Sequence, residues 1–220
     1  MTRIALYSYW RSSCSWRVRI GLHLKGVSFE YRAVDLRQGA QFSDEHRARN
    51  AMSQVPVLEV EQLKQTRHLT QSMAILEWLE ERFPTPPLLP GTDWDRARVR
   101  ALAEHVNSGI QPYQNSAPLK WLKGRTPGLE TDWVKHWLAS GLAALEAAVK
   151  AGAGRFCHGD AVTLADLFLV PQLYGARRFG VDLSPCPTLL RIDEACRELE
   201  PFRLAEPAIQ PDAPPGERNA

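Results

Sequence analysis

Ser12-Ser13-Cys14-Ser15-Trp16-Arg17-Val18-Arg19 follows closely on the apolar run of residues 4–9, Ile-Ala-Leu-Tyr-Ser-Tyr. Three hydroxyls and a thiol therefore stand where a strand hands over to a candidate helix. The first N–H groups of a helix have no partner inside it and point outward. With the helix dipole they make a site for an anion, and a thiolate is an anion. A serine hydroxyl there can donate a hydrogen bond to a sulfur and favour its ionised form. The other use of Ser12 or Ser13 is simply to cap the helix. Taken alone, the segment is compatible with both.

Hydrophobic patterning divides the chain near residue 85. Before it, β-like runs at residues 4–9, 29–34 and 55–60, with a return strand around His68-Leu69, alternate with helical segments, which predicts an α/β unit. Val18, Ile20, Leu22 and Leu24 alternate as a strand would, yet Lys25-Gly26 resembles a helix C-terminus, so pattern leaves that segment open. Ile75, Leu76, Leu79 and Phe83 fall at helical spacing, with Ser72 predicted as their N-cap. Pro84-Thr85-Pro86-Pro87-Leu88-Leu89-Pro90-Gly91 cannot continue a helix and reads as a linker.

Beyond the linker the pattern is helical. Leu138, Leu142, Leu145 and Val149 keep one face, and Gly152 follows as a stop. Thr163-Leu164-Ala165-Asp166 matches a capping box with Asp in the Glu position, a structural rather than a catalytic role. From Pro207 onward, prolines among polar residues predict a loose tail. The predicted organisation is an α/β domain over residues 1–84, a proline-rich linker over 85–91 and an all-helical domain over 92–220.

A chain of 220 residues can bury a substantial core. Its 27 basic and 25 acidic side chains leave a net charge of +2, too balanced for a nucleic-acid footprint. No apolar stretch reaches the roughly 18 residues that a membrane span needs. The start, Met1-Thr2-Arg3-Ile4, runs straight into a strand-like segment and shows no signal-peptide core. Cys14, Cys157, Cys186 and Cys196 are far apart and form no CxxC pair, so neither a metal site nor a disulfide framework is expected. A cytoplasmic, reducing setting follows from those readings.

An α/β domain, a proline linker and an all-helical domain suggest a thioredoxin-like fold joined to a helical bundle. Residues 7–20, Tyr-Ser-Tyr-Trp-Arg-Ser-Ser-Cys-Ser-Trp-Arg-Val-Arg-Ile, closely resemble the N-terminal motif of zeta-class glutathione transferases, the maleylacetoacetate isomerases. Gln54-Val55-Pro56 resembles their cis-proline segment, and Gln71-Ser72 followed by Ala74-Ile75 their γ-glutamyl-binding turn. Gln111-Pro112 with Asn115, then Leu169-Val170-Pro171-Gln172 and Arg178-Phe179-Gly180-Val181-Asp182-Leu183, extend the likeness almost end to end. Two departures stand out. Residues 61–67 make a longer hairpin than the family's short turn, with charged residues expected in solvent and the strand register left open. Gly21 stands where the family commonly has Ala, at a cost to that helix of about 0.5–1 kcal/mol.

The resemblance implies a glutathione transferase fold, a homodimer and glutathione as cofactor. It places glutathione against Ser12, Ser13, Cys14, Ser15, Trp16 and Arg17, with Ser13 and Ser12 activating its thiolate and Cys14 beside them. Val55 would offer its main chain to the cysteinyl unit beside a cis Pro56. Ser72, with Gln71, would receive the γ-glutamyl carboxylate, as a helix start suits an anion. Gln41 is either a contact for the glycyl end or a solvated loop residue. Gln111, Asn115, Ser116 and Ala117 would join from the second domain. The implied reaction is cis–trans isomerisation of a dianionic β-diketo acid, maleylacetoacetate, with the closely similar maleylpyruvate as the alternative substrate. Reversible thiolate addition frees rotation about the former double bond. A free thiol ionises near pH 8.5, so lowering its pKa by about two units, roughly 2.7 kcal/mol, makes thiolate the main form. Arg11, Arg17 and Arg178 are candidates for the substrate carboxylates. The reading from another class is a non-catalytic binding or scaffolding subunit, which would be expected to have lost the polar thiol-site cluster.

Overall fold

Five of the six residues of β1 (Arg3–Ser8) are buried, and that strand organises the first half of the chain. It pairs in parallel with β2 (Glu30–Ala33) and antiparallel with β3 (Val57–Gln62), which turns back into β4 (Gln65–Thr70). The sheet order is β2-β1-β3-β4. A parallel pair needs a crossover, and α1 (Ser13–Leu24) supplies it. The structure, a computed structural model, describes residues 2–217.

The segment that pattern left open is this helix. Every residue from Ser15 to Leu22 is buried, including Arg17 and Arg19. A helix covered on all sides has no polar face to print a 3.6-residue period. α2 (Asp44–Arg49) is short and capped by the Ser43 hydroxyl, and α3 (Ser72–Arg82) follows β4. Ser72 is the first residue of α3, not its cap. Gln71 occupies the cap position with φ 69°.

The hairpin is longer than a short turn, but its extra residues lengthen the strands and not the loop. Leu63 and Lys64 form a two-residue turn with φ 51° and 63°, and pairing runs without a slip from Val57↔Thr70 to Gln62↔Gln65. Residues 61–67 are exposed, as expected.

The described residues form two compact units, one running to Pro86 and resuming at Leu199, the other spanning Pro87–Glu198. This corrects both predicted boundaries. Leu88 and Leu89 are buried, and Leu88 O accepts from Leu164 N–H at 2.8 Å, so this part of the proline segment belongs to the helical unit. The chain from Leu199 is not a loose tail, although residues 218–220 lie outside the described residues. It contains α9 (Glu200–Leu204) and the buried Ala205, Gln210 and Ala213, and it packs on α1.

The helical unit holds α4 (Asp93–Asn107), α5 (Ser116–Arg125), α6 (Leu129–Lys150), α7 (Leu164–Arg178) and α8 (Pro187–Arg197). α7 is its centre, buried at nearly every position and packed on α4 and α8. Asp166 accepts from the Thr163 N–H and hydroxyl and from the Cys157 N–H, at 2.7, 2.9 and 2.8 Å. With every bond spent on the local chain, the pair is structural.

Candidate active site in the first unit

Strand register gathers the motifs. Tyr7 pairs with Val57 and Val57 with Thr70. The end of β1, the start of β3 and the end of β4 therefore lie side by side. The chain leaving β1 reaches the Ser12–Ser13–Cys14 turn, the chain entering β3 is Val55-Pro56, and the chain leaving β4 is Gln71-Ser72. Two helix starts and an irregular loop share one end of the sheet.

Ser12 is the N-cap of α1, its Oγ accepting from Ser15 N–H at 3.2 Å, while its C=O accepts from Trp16 N–H at 2.9 Å. Ser13 is the first helical residue, and Ser13 and Cys14 are half-buried. One serine caps and the next is left with its hydroxyl beside the outward N–H groups of the helix start. The capping reading thus holds at Ser12. Ser15 and Trp16 are buried beneath them.

The peptide Val55–Pro56 is cis. Among the described residues, neither the N–H nor the C=O of Val55 has a hydrogen-bond partner. Two buried residues that sequence reading passed over hold this loop. Asn50 Nδ2 donates to Gln54 O at 2.9 Å, and His46 Nε2 lies 2.9 Å from the same oxygen. A polar residue just before an X-Pro loop is a weak signal, and nothing local names its partner.

Gln71 is exposed, its Nε2 3.7 Å from Met52 Sδ, and Ser72 is buried. Arg17 is fully buried and its Nη1 donates to Ser72 Oγ at 3.2 Å. This corrects its assignment to a substrate carboxylate. The guanidinium lies under the Ser72 turn, with no surface open to a substrate. Gln41 sits in a single 3-10 turn, Ala40–Phe42, and its Oε1 is buried without a hydrogen-bond partner in the described residues. Arg11 is half-buried, its guanidinium 5.0 Å from the centre of the Trp10 ring.

In the helical unit, Gln111 is buried and its Nε2 donates to Asn115 Oδ1 at 2.7 Å, which brings those two candidates together. Ser116 and Ala117 are exposed in the first turn of α5. Arg178 is exposed at the end of α7, over the Phe179 ring at 5.5 Å, whereas Arg177 is ion-paired to the buried Asp193 at 2.7 Å. An aromatic cluster escaped sequence reading: Tyr113 and Trp137 stack at 4.7 Å, and Trp133 Nε1 donates to Tyr113 O at 3.1 Å. Among the described residues no group of side chains could hold a metal ion, and no helix is long and apolar enough to cross a membrane.

A thioredoxin-like unit with these three features at one end defines the class, and residues 11–82 match the family model described as glutathione S-transferase, N-terminal domain. Similarity extends over the whole chain. A maleylacetoacetate isomerase from Anaeromyxobacter dehalogenans, solved with glutathione in its active site, is 64% identical, with 97% of this chain and 99% of that one covered and a TM-score of 0.92. The same bacterial protein has also been solved with dicarboxyethyl glutathione and citrate in its active site, at a TM-score of 0.91, 64% identity and the same coverage. The maleylacetoacetate isomerase of Rattus norvegicus is 45% identical, covering 95% of this chain and 94% of its own. A maleylpyruvate isomerase from a Ralstonia species is 46% identical, covering 94% and 99%. The chain belongs to the maleylacetoacetate isomerase family, the zeta class of glutathione transferases.

Proposed function

We propose that this chain is a glutathione-dependent cis–trans isomerase that converts maleylacetoacetate to fumarylacetoacetate. The observation that carries the reading is the gathering of two helix starts and the open Val55 main chain at one end of the sheet. Those features fit a tripeptide that carries carboxylates and a thiol. Val55 N–H and C=O can pair with its cysteinyl unit, the start of α3 with Ser72 can receive its γ-glutamyl carboxylate, and the orphaned Gln41 Oε1 lacks only a donor.

Bound glutathione supplies a thiolate that adds reversibly to a conjugated double bond. The chain's own residues make that thiol acidic and hold the substrate. The Ser13 hydroxyl and the outward N–H groups of α1 favour the ionised sulfur, and Ser12 keeps the helix start in place. Arg11 and Arg178 are the cations proposed for the substrate carboxylates and the enolate charge that develops beside them. Dicarboxyethyl glutathione, found in the Anaeromyxobacter protein, carries two carboxyl groups on carbon attached to glutathione. That is the kind of product thiolate addition to an unsaturated diacid gives. The full polar cluster also argues against a non-catalytic scaffolding subunit.

The Ralstonia relative supports maleylpyruvate as a second substrate to be tried alongside the first. The reading includes a homodimer in a cytoplasmic setting, the first tested by sedimentation equilibrium. The deciding experiment is an isomerase assay on both diketo acids with and without glutathione. Turnover is expected only with glutathione, and equal rates after its exhaustive removal would overturn the reading.

A further inference from the structure

We propose that Asp212 and Arg19 are positioning residues for the thiol-activating turn, and that the carboxy-terminal segment completes the glutathione site through them. The inference rests on reading the Ser12–Ser13–Cys14 turn as that site.

The chain between β1 and α1 has little regular structure to hold it. Ser12 N–H donates to Tyr9 O at 3.0 Å, closing a turn, but the N–H and C=O of Trp10 are held by two ionic side chains. Trp10 N–H donates to Asp212 Oδ2 at 2.9 Å. Trp10 O accepts from Arg19 Nη2 at 3.0 Å, and Tyr9 O lies 3.5 Å from Arg19 Nη1. Trp10 itself is nearly inaccessible, at 2% exposure.

Both ionic groups are anchored a second time. Arg19, fully buried, also donates through Nη1 to Ser8 Oγ at 3.2 Å and through Nε to Ala205 O at 3.0 Å, within the carboxy-terminal segment. Asp212 Oδ1 accepts from Tyr31 OH at 2.6 Å. Ala213 packs in one apolar cluster with Tyr9 and Trp10. Burial lowers the Arg19 pKa to about 10, with Tyr31 and Asp212 acting against that, and it stays charged at neutral pH.

A buried guanidinium is costly unless its donors are satisfied. Arg19 meets that condition because the Tyr9–Trp10 turn and the carboxy-terminal segment supply carbonyls and Ser8 a hydroxyl. The arrangement fixes Tyr9 and Trp10, three and two places before Ser12. A small displacement there moves the activating hydroxyl relative to the sulfur, to which the ionisation of a bound thiol is sensitive.

The test compares the unaltered chain with Asp212→Ala, Asp212→Asn and Gln210→Ala. Gln210 Nε2 fastens the segment internally, to Leu204 O and Glu206 O, without touching the turn. Three quantities are read without substrate: glutathione affinity by calorimetry, the pH midpoint of bound thiolate by ultraviolet absorbance, and the thermal midpoint. Asp212→Ala should weaken glutathione by about tenfold and raise the ionisation midpoint. Asp212→Asn, which keeps an acceptor but loses charge assistance, should fall between it and the unaltered chain. Gln210→Ala should lower only the thermal midpoint. A folded Asp212→Ala that loses thermal stability but keeps both glutathione readouts overturns the proposal. Should that variant not fold, Asp212→Asn decides, and wild-type affinity and midpoint there overturn it equally. Failure of the unaltered chain to bind glutathione brings down the site reading itself, a separate and recognisable result.

Discussion

Arg17 Nη1 and Ser72 Oγ, 3.2 Å apart, join the middle of α1 to the first turn of α3 by a hydrogen bond between buried side chains. The bond ties α1 to the start of α3 beneath the surface. Arg17→Met keeps much of the volume and removes the donor. It should weaken glutathione about five- to tenfold, roughly 1–1.4 kcal/mol, with a smaller effect on kcat, since the proposed site gives Ser72 the carboxylate end and not the sulfur. An unchanged calorimetric Kd would mean that Ser72 is oriented by something other than this bond.

The division of labour between the adjacent serines predicts different losses. Ser12 caps α1, so Ser12→Ala should cost about 1 kcal/mol of stability. Ser13→Ala should leave stability nearly intact, raise the pH at which bound glutathione ionises, and slow turnover at neutral pH by about tenfold, equal to about 1.4 kcal/mol. Urea titration and a pH–rate profile on both variants separate the roles, and the reverse pattern would hand activation to Ser12.

Cys14 is half-exposed, while Cys157, Cys186 and Cys196 are buried free thiols. Burial pushes all three of the latter up from the ordinary thiol value, with Asp166 adding to the rise at Cys157 and Cys196, and Glu146 at Cys186. Iodoacetamide should therefore label the folded chain at Cys14 first, and bound glutathione should slow that labelling. Cys14→Ala is expected to change KM more than kcat and to keep the need for glutathione. Loss of nearly all turnover with normal glutathione binding would instead make the thiol a chemical participant.

Acid sensitivity of the helical unit should pass through Glu146. Its carboxylate accepts from Thr188 N–H and Leu189 N–H, at 3.2 and 3.0 Å, at the start of α8. Burial raises its pKa, but the bonds from Thr188, Leu189 and Lys150 outweigh that, and the net shift is downward. A carboxyl held below its unfolded value of about 4.3 contributes stability above that pH and loses it as pH falls through the folded value. Glu146→Gln should lose about 1–3 kcal/mol at neutral pH. The gap between the urea midpoints of the two chains should narrow as pH falls from the unfolded value through the folded one, and a gap that does not change with pH would exclude the carboxylate as its cause.

What the sequence made legible was local. The Ser12–Ser13–Cys14 turn, Val55-Pro56 and Gln71-Ser72 each announce themselves within a few residues, and the β/α order implied by the patterning leaves few ways to arrange them. α1 resisted reading because burial all round erased its amphipathic period. The carboxy-terminal segment was misread because prolines and polar residues look the same whether a chain is loose or packed. Asp212 satisfies Trp10 from 202 positions away, and Ala205 offers Arg19 only a carbonyl, which no side-chain pattern records. Arg17 misled for a related reason: an arginine beside a binding motif suggests a ligand contact, and only burial reveals an internal one.

Because the segment from Leu199 packs with the first unit, the helical unit interrupts that unit as an insertion would. The order of synthesis is then not the order of completion. A ribosome emits the entire sheet early, yet the Ala205 carbonyl for Arg19 and the Asp212 carboxylate for the Trp10 N–H follow only after the helical unit. Residues 87–198 are contiguous and can close while the nascent chain is still attached. A fragment cut at the proline segment would hold the sheet and both helix starts and still lack Ala205 and Asp212. An autonomous glutathione-binding module made from this chain would need residues 199–217 spliced back on.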